Sequence, residues 1–192
     1  MTRRAEIHNG ATLTPTKREL VVDWLARQDW FTGDPAVIEQ VAAFRFVDPE
    51  GEVGIETLLF NADGFVFQIP QTYRAEPLDD DVEGLIGVLE HSELGTRYVY
   101  DAMTDPVYLA ELERVIREGD TAVETVSLRD GSVKPAGMEI RGTGVAEGVA
   151  TVGELEVVGL LTDERYEDAP GRLLGRLVDD AGTREVVLAV LR

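Results

Sequence analysis

The sequence predicts an α+β fold, and three observations predict it. An apolar stripe at helical spacing follows a capping signal at Thr16. A series of short runs with two-residue alternation is punctuated by Asp, Asn and Gly turn signals. A second helix start, Asp105-Pro106, is followed by glycine-broken, strand-like runs to the end of the chain.

The first helix opens either at Thr14-Pro15 or at Thr16-x-x-Glu19, where Thr16 and Glu19 can satisfy each other's free amides as a capping box. It is expected to run to about Gln28. Leu20, Val21, Trp24 and Leu25 then share one stripe and face a core, while Arg18, Arg27 and Asp29 point outward. Gly33-Asp34-Pro35 closes the element.

Strand-like runs follow at about 37–47, 52–60 and 65–69. In the middle one Val53, Ile55, Thr57 and Leu59 alternate with Glu52, Gly54, Glu56 and Leu58, the period of a half-buried strand that frays toward its end. Asp48 to Gly51 and Asn61 to Gly64 suit hairpin turns, because Asp, Asn and Gly tolerate positive φ. An antiparallel meander is the simplest topology. Asp79, Asp80 and Asp81 form an acidic loop, Leu85 to Leu89 reads as a short helix or strand, and Arg97 to Asp101 reads as a strand.

The second helix has Asp105 as its cap and Pro106 in the first turn, where a missing amide donor costs little. Tyr108, Leu112, Val115 and Ile116 form its buried stripe, and Gly119 is placed to end it. Strand-like runs at 123–128, 138–145, 154–161, 173–178 and 185–191 are separated by turn signals at Asp130-Gly131 and Asp179 to Gly182, with an exposed loop at 163–171. They form a second antiparallel sheet or complete the first. The expected organisation is a first region over 1–120 and a glycine-punctuated β-rich region over 121–192, packed on the first as one compact unit.

At 192 residues the chain can bury about 70% of its unfolded surface, and it has no cysteine, so neither a disulfide nor a thiolate site contributes. The start, MTRRAEIHNG, lacks the apolar run of a signal peptide, and no segment approaches the ~18 apolar residues of a membrane span, so a cytoplasmic protein is expected. Net charge is -19, and only Lys17 and Lys134 among 18 bases are lysines. Such a surface repels phosphate backbones and anionic lipid, which argues against nucleic-acid and membrane partners. The one small basic patch is Thr14 to Arg18.

Five segments carry a resemblance: LIGVLEHSELGTRYVYDAMTDP (Leu85 to Pro106), ATLTPTKREL (Ala11 to Leu20), WLARQDWF (Trp24 to Phe31), DPEGEVGIE (Asp48 to Glu56) and IPQTYRAEPL (Ile69 to Leu78). Together they resemble the N-terminal cap of actinobacterial maltokinases and its stand-alone relatives, over roughly the first two thirds of the chain. The resemblance implies a cystatin-like cap, a helix on a curved antiparallel sheet, followed here by further antiparallel strands. It also implies a role in maltose or α-glucan metabolism. The sequence departs from a kinase: it has no Gly-rich phosphate loop followed by Lys-Ser/Thr and no His-x-Asp loop with a downstream Asn. Kinase active-site residues therefore have no positions here to be carried onto.

The candidate catalytic residues are His91 with Glu90 or Asp101, since an imidazole beside a carboxylate can act as a base near neutral pH. A histidine in a turn-forming segment, followed by Ser92 and Leu94-Gly95, is more often a hydrogen-bonded pin, and that is the stronger reading. Asp101 can instead orient Arg97 as a buried ion pair or cap the turn before Ala102. Candidate binding residues are Trp30, Tyr73, Arg74, Arg97 and Tyr98, aromatic and polar groups of the kind that line sugar sites. Of the two tryptophans Trp24 belongs to the core stripe, and Trp30, past the helix end, has the weakest claim to burial.

No metal site is expected. His8 and His91 are the only histidines, and Asp79 to Asp81 lacks the alternation and glycine of a calcium loop. Gly142 to Gly148, GTGVAEG, matches no phosphate-loop pattern and reads as a glycine-broken hairpin. The three serines, Ser92, Ser127 and Ser132, sit in no nucleophile elbow.

The reading these observations favour is a non-catalytic, cofactor-free cap-like protein. It would act by binding a partner enzyme of sugar metabolism or an α-glucan-type ligand, with homo-oligomerisation as a further use of its surface. The alternative is a small enzyme using His91 with Glu90 or Asp101 as acid-base groups on a sugar or sugar phosphate.

Overall fold

A computed structural model describes residues 3–79, 83–149, 153–179 and 182–192. Two short strands that the periodicity did not announce come first, β1 (Arg4–Ile7) and β2 (Leu13–Thr14). Helix α1 (Lys17–Leu25) starts at the capping box and not at Pro15: the Glu19 amide donates to Thr16 Oγ1 at 3.2 Å, and the Thr16 amide donates to Glu19 Oε2 at 2.7 Å. It ends three residues before the expected Gln28. The chain continues in single turns, with Arg27 N to Trp24 O and Gln28 N to Leu25 O both at 3.0 Å.

A short 3-10 turn at Pro35–Val37 precedes β3 (Glu39–Val47), β4 (Gly54–Ala62), β5 (Phe65–Arg74), β6 (Leu85–His91) and β7 (Gly95–Asp101). The ambiguous run at Leu85 is thus a strand. The acidic loop retains only Asp79 for description, since Asp80 and Asp81 lie outside the described residues. These strands and β2 form one curled antiparallel sheet in the order β2-β6-β7-β5-β4-β3. Strand β5 runs five residues beyond the expected Ile69, through Pro70. It pairs with β7 only from Gln71 to Arg74, so the missing Pro70 amide falls where no β7 partner awaits it.

The half-buried period expected of β4 is corrected, because both faces of the sheet are covered. Leu58 and Phe60 enter one core with Leu20, Val21, Trp24 and Leu25 of α1. Ile55 and Leu59 enter a second core on the opposite face. The fraying of the alternation at Leu58 is the sequence trace of that second cover.

The cover is helix α2 (Pro106–Glu118) with the chain that follows. Asp105 caps it through Val107 N at 3.0 Å, and Gly119 ends it at φ 66°, as the sequence led us to expect. Tyr108, Leu112, Val115 and Ile116 pack with Phe44, Phe46 and Ile55 of the first sheet and with a second sheet beyond. Strands β8 (Glu124–Ser127) and β9 (Val133–Lys134) join β1 in a small sheet in which β1 and β8 are parallel. Strands β10 (Glu139–Gly142), β11 (Leu155–Val157), β12 (Gly171–Asp179) and β13 (Gly182–Leu191) form the second antiparallel sheet in the order β10-β12-β13-β11. The turn signal between β12 and β13 falls on Asp180 and Ala181, outside the described residues.

Two local expectations are overturned here. The segment 142–148 is not a hairpin but a cap for α2. A Cβ at Gly142 would lie 2.1 Å from Val115 O, and the amides of Gly144 and Val145 donate to the carbonyls of Ile116 and Arg117 at 2.9 and 3.1 Å. The loop 163–171 is not wholly exposed, because Ala169 is buried in the second core and Tyr166 packs against it.

The regions are also stitched edge to edge. Where β5 has no strand partner, Leu161 N donates to Val66 O at 2.8 Å and Gln68 N to Gly159 O at 3.0 Å, while Gln68 Nε2 donates to Val158 O and Leu188 O at 2.8 and 2.6 Å.

Candidate functional site

The curled sheet leaves a cleft of about 550 Å³ at one end, walled by β1, β2, the first turn of α1 and the hairpins β3–β4 and β6–β7. Its floor follows from register. Arg45 on β3 stands opposite Glu56 on β4, which stands opposite Gln71 on β5, all on the α1 face. Glu56, 6% exposed, accepts from Arg45 Nη2 at 2.7 Å, forms an ion pair with the Lys17 ammonium, and lies 3.1 Å from the Tyr73 hydroxyl. That hydroxyl is also 2.7 Å from Gln71 Oε1, so its single proton serves one acceptor at a time. The Lys17 ammonium lies 5.2 Å from the centre of the Tyr73 ring.

Burial works on each of these groups differently. It pushes the Glu56 carboxyl up, but the Arg45 and Lys17 charges and the Lys17 and Tyr73 hydrogen bonds outweigh it, and Glu56 ionises below the usual carboxylate range. Burial holds the Lys17 ammonium below its ordinary value against the pull of Glu56. It also raises the Tyr73 phenol well above its ordinary value, with Glu56 adding to the effect, so Tyr73 is a neutral donor.

His91 sits at the lip of the cleft, where β6 turns into β7. Its Nδ1 accepts from the amides of Glu93 and Leu94, both at 3.2 Å, which occupies the lone pair that a base needs. Burial, then the neighbouring His8 and Arg97, hold its ionisation below the ordinary histidine value. His8 crosses it edge-on with ring centres 5.4 Å apart and pairs with Glu93 through Nδ1 at 2.8 Å. The same turn is pinned to the start of β2 by Ser92, whose hydroxyl and amide each bond Thr12 at 3.0 Å.

The structure does not gather the candidate acid-base set. Glu90 points to the sheet face opposite His91, by strand alternation, and accepts from Thr96 Oγ1 at 2.7 Å. Asp101 lies at the far end of β7, six residues beyond Gly95, the partner of His91, or about 20 Å away. There it caps the 3-10 turn at Ala102–Thr104 through Met103 N at 3.0 Å, and burial raises its carboxyl above the usual range. The expected Arg97–Asp101 ion pair is absent for the same reason: four residues along a strand separate the two groups. Arg97 donates instead to Thr96 O at 2.7 Å and faces the cleft.

Of the candidate binding residues, Tyr73 and Arg97 share the cleft. Arg74 lies in a contact between β5 and α2. Its guanidinium grips Asp105, fully buried, through two bonds of 2.7 Å and so ties β5 to the cap of α2. Tyr98 neighbours Arg74 in register and lies on the face away from the cleft. Sequence reasoning missed Lys17, Arg45, Glu56 and His8. The available signal was an acid, Glu56, inside a strand whose neighbours Ile55, Thr57, Leu58 and Leu59 are all buried.

Trp30 belongs to a different recess, a groove of about 400 Å³ lined by Trp30, Phe31, Phe65, Phe67 and Leu160, with Thr32 and Asp63 as its polar neighbours. Trp30 is 55% exposed and Phe65 64%, and Leu160 is half exposed. The Trp30 ring is propped edge-on between Trp24 and Phe31, each with ring centres 5.9 Å away.

No described helix is long and apolar enough to cross a membrane. No curated protein matches the chain. Residues 24–105, from the last turn of α1 to the cap of α2, match the family described as the maltokinase N-terminal cap domain.

Proposed function

We propose, from the premise that the chain carries a maltokinase-type cap domain, that it is a non-catalytic cytoplasmic protein of maltose or α-glucan metabolism that works by docking a partner enzyme. The family match supports the link to that metabolism. The observation that carries the mode of action is the aromatic groove. Trp30, Phe65 and Leu160 form a contiguous exposed apolar surface at the junction of the cap region with the segment 158–161, and such patches mark interaction sites on otherwise polar surfaces. Exposed Trp and Phe side chains in a recess are also what binding hot spots are built from.

The acid-base reading has less support. His91 spends its Nδ1 lone pair on two backbone amides, Glu90 faces away, and Asp101 is about 20 Å distant.

Immobilised protein should enrich an enzyme of maltose or α-glucan metabolism from extract of its own cells, and Trp30→Ala with Leu160→Asp should abolish the enrichment while leaving the melting temperature near that of the parent. Enrichment of no such enzyme, or enrichment indifferent to both substitutions, would overturn the proposal. A melting-temperature rise with maltose or short α-glucans that the same substitutions remove would replace the partner by a sugar.

A further inference from the structure

In a chain of net charge -19 the inner wall of the polar cleft carries an excess of positive charge. Lys17 and Arg45 share a single carboxylate, Glu56, which leaves one positive charge uncompensated. Arg97 adds another: among the described residues no carboxylate lies within ion-pair distance of it, and its one hydrogen bond goes to a neutral carbonyl. Lys17, Arg97 and His8 all face His91 closely enough to disfavour its protonation. The acids of the cleft offset this inner charge only in part. Asp48 is turned inward onto the amides of Glu50, Glu52 and Val53 at 2.9 to 3.0 Å, Glu93 is taken by His8, and Glu6 and Glu52 stand on the exposed rim. The Tyr73 hydroxyl adds a neutral donor at the floor.

We infer that this cleft is a binding site for a small anionic ligand, with the oxyanion held by Arg97 and Lys17 beside the His91 ring, and the remainder of the ligand against Leu89, Leu94 and Tyr73. Three features select this class. A guanidinium without a carboxylate partner presents a planar fork matched to phosphate or carboxylate oxygens. A cleft of about 550 Å³ exceeds the volume of a bare phosphate and has room for an organic body. The acidic exterior disfavours anions over most of the surface, which makes the cleft a place where one can settle. Phosphate and carboxylate ligands share this chemistry, and the test separates them. The inference rests on the cleft alone and stands apart from the partner proposed for the aromatic groove.

The test is calorimetric titration of the whole protein with inorganic phosphate, glucose 6-phosphate, glucuronate and glucose, with the His91 ring resonances followed by NMR in parallel. Binding of the anions and not of glucose is expected, and the tightest of the three names the source of the oxyanion. Arg97→Gln should weaken that binding at least about tenfold, the loss of one charge-assisted contact, while Arg97→Lys recovers part of it. Val178→Ser, on an exposed position of β12, should change nothing. Glucose binding as tightly as glucose 6-phosphate, or an affinity unchanged in Arg97→Gln, would overturn the inference. So would His91 resonances that do not move in the unmodified protein, a readout that holds even if Arg97→Gln fails to fold.

Discussion

The two recesses of this molecule are built on opposite principles. In the polar cleft the floor and the lip are held by their neighbours, with Arg97 the exception: Glu56 binds Arg45, Lys17 and Tyr73, and His91 is pinned by the turn that contains it. In the aromatic groove Trp30, Phe65 and Leu160 expose half or more of their area and hold little in place. The cleft therefore couples binding to stability, whereas the groove separates them. A substitution in the floor of the first should unfold before it informs, whereas one at Arg97 or in the second should inform without unfolding.

The largest test of that contrast is Glu56→Gln. It leaves two cations facing a neutral amide in a buried position, and should cost about 3 kcal/mol, at the lower edge of what breaking a buried pair costs because Lys17 and Arg45 retain some solvent. Urea unfolding reads this directly, and a loss under about 1 kcal/mol would mean that the cleft is not the structural knot described. Tyr73→Phe leaves Glu56 with Arg45 and Lys17 but takes from the buried Gln71 Oε1 its hydrogen-bond donor, for an expected cost of about 2 kcal/mol in the same assay.

Acid sharpens the comparison further. His91 titrates below the ordinary histidine value in the folded protein, so the unfolded chain binds more protons in that window. Its contribution is fully present above about pH 6.5 and is lost as pH falls through the folded value. Glu56, also depressed, extends the loss through the range below about pH 4.5. The melting temperature should therefore decline in two stages between neutral pH and pH 3, and His91→Asn should flatten the first. The smallest effect on stability is expected from Trp30→Ala, under about 1 kcal/mol because the ring is already half exposed, together with full loss of partner capture.

The sequence was most informative where a local rule is strict. The Thr16–Glu19 capping box, the Asp105-Pro106 start and Gly119 at positive φ each rest on a few adjacent residues, and each appears in the structure. Contacts between distant strands left weaker traces. Strand β1 alternates Arg4, Ala5, Glu6 and Ile7, but four residues are too short a run to announce a strand, and its parallel pairing to β8, about 120 residues later, is encoded by no local pattern. The same holds for the floor of the cleft. Glu56 reads as the polar face of a half-buried strand until Lys17 of α1 and Arg45 of β3 arrive over it. Arg97 and Asp101, four apart, look like a pair only if strand rise is forgotten. Trp30 was legible as an exposed aromatic, but its neighbours Phe65 and Leu160 come from two other parts of the chain.

The suture of residues 158–161 to the unpaired half of β5 has a consequence for what the protein can recognise. An open strand edge is an invitation to any extended peptide, and pairing along it confers affinity with little regard for sequence. Here the chain supplies its own short edge, Gly159 to Leu161, and consumes the Val66 carbonyl and the Gln68 amide. A visitor to this surface finds side chains and not backbone. It must be chosen by the shape of its apolar knobs, which excludes indiscriminate strand addition and protects the acidic molecule from self-assembly through this edge.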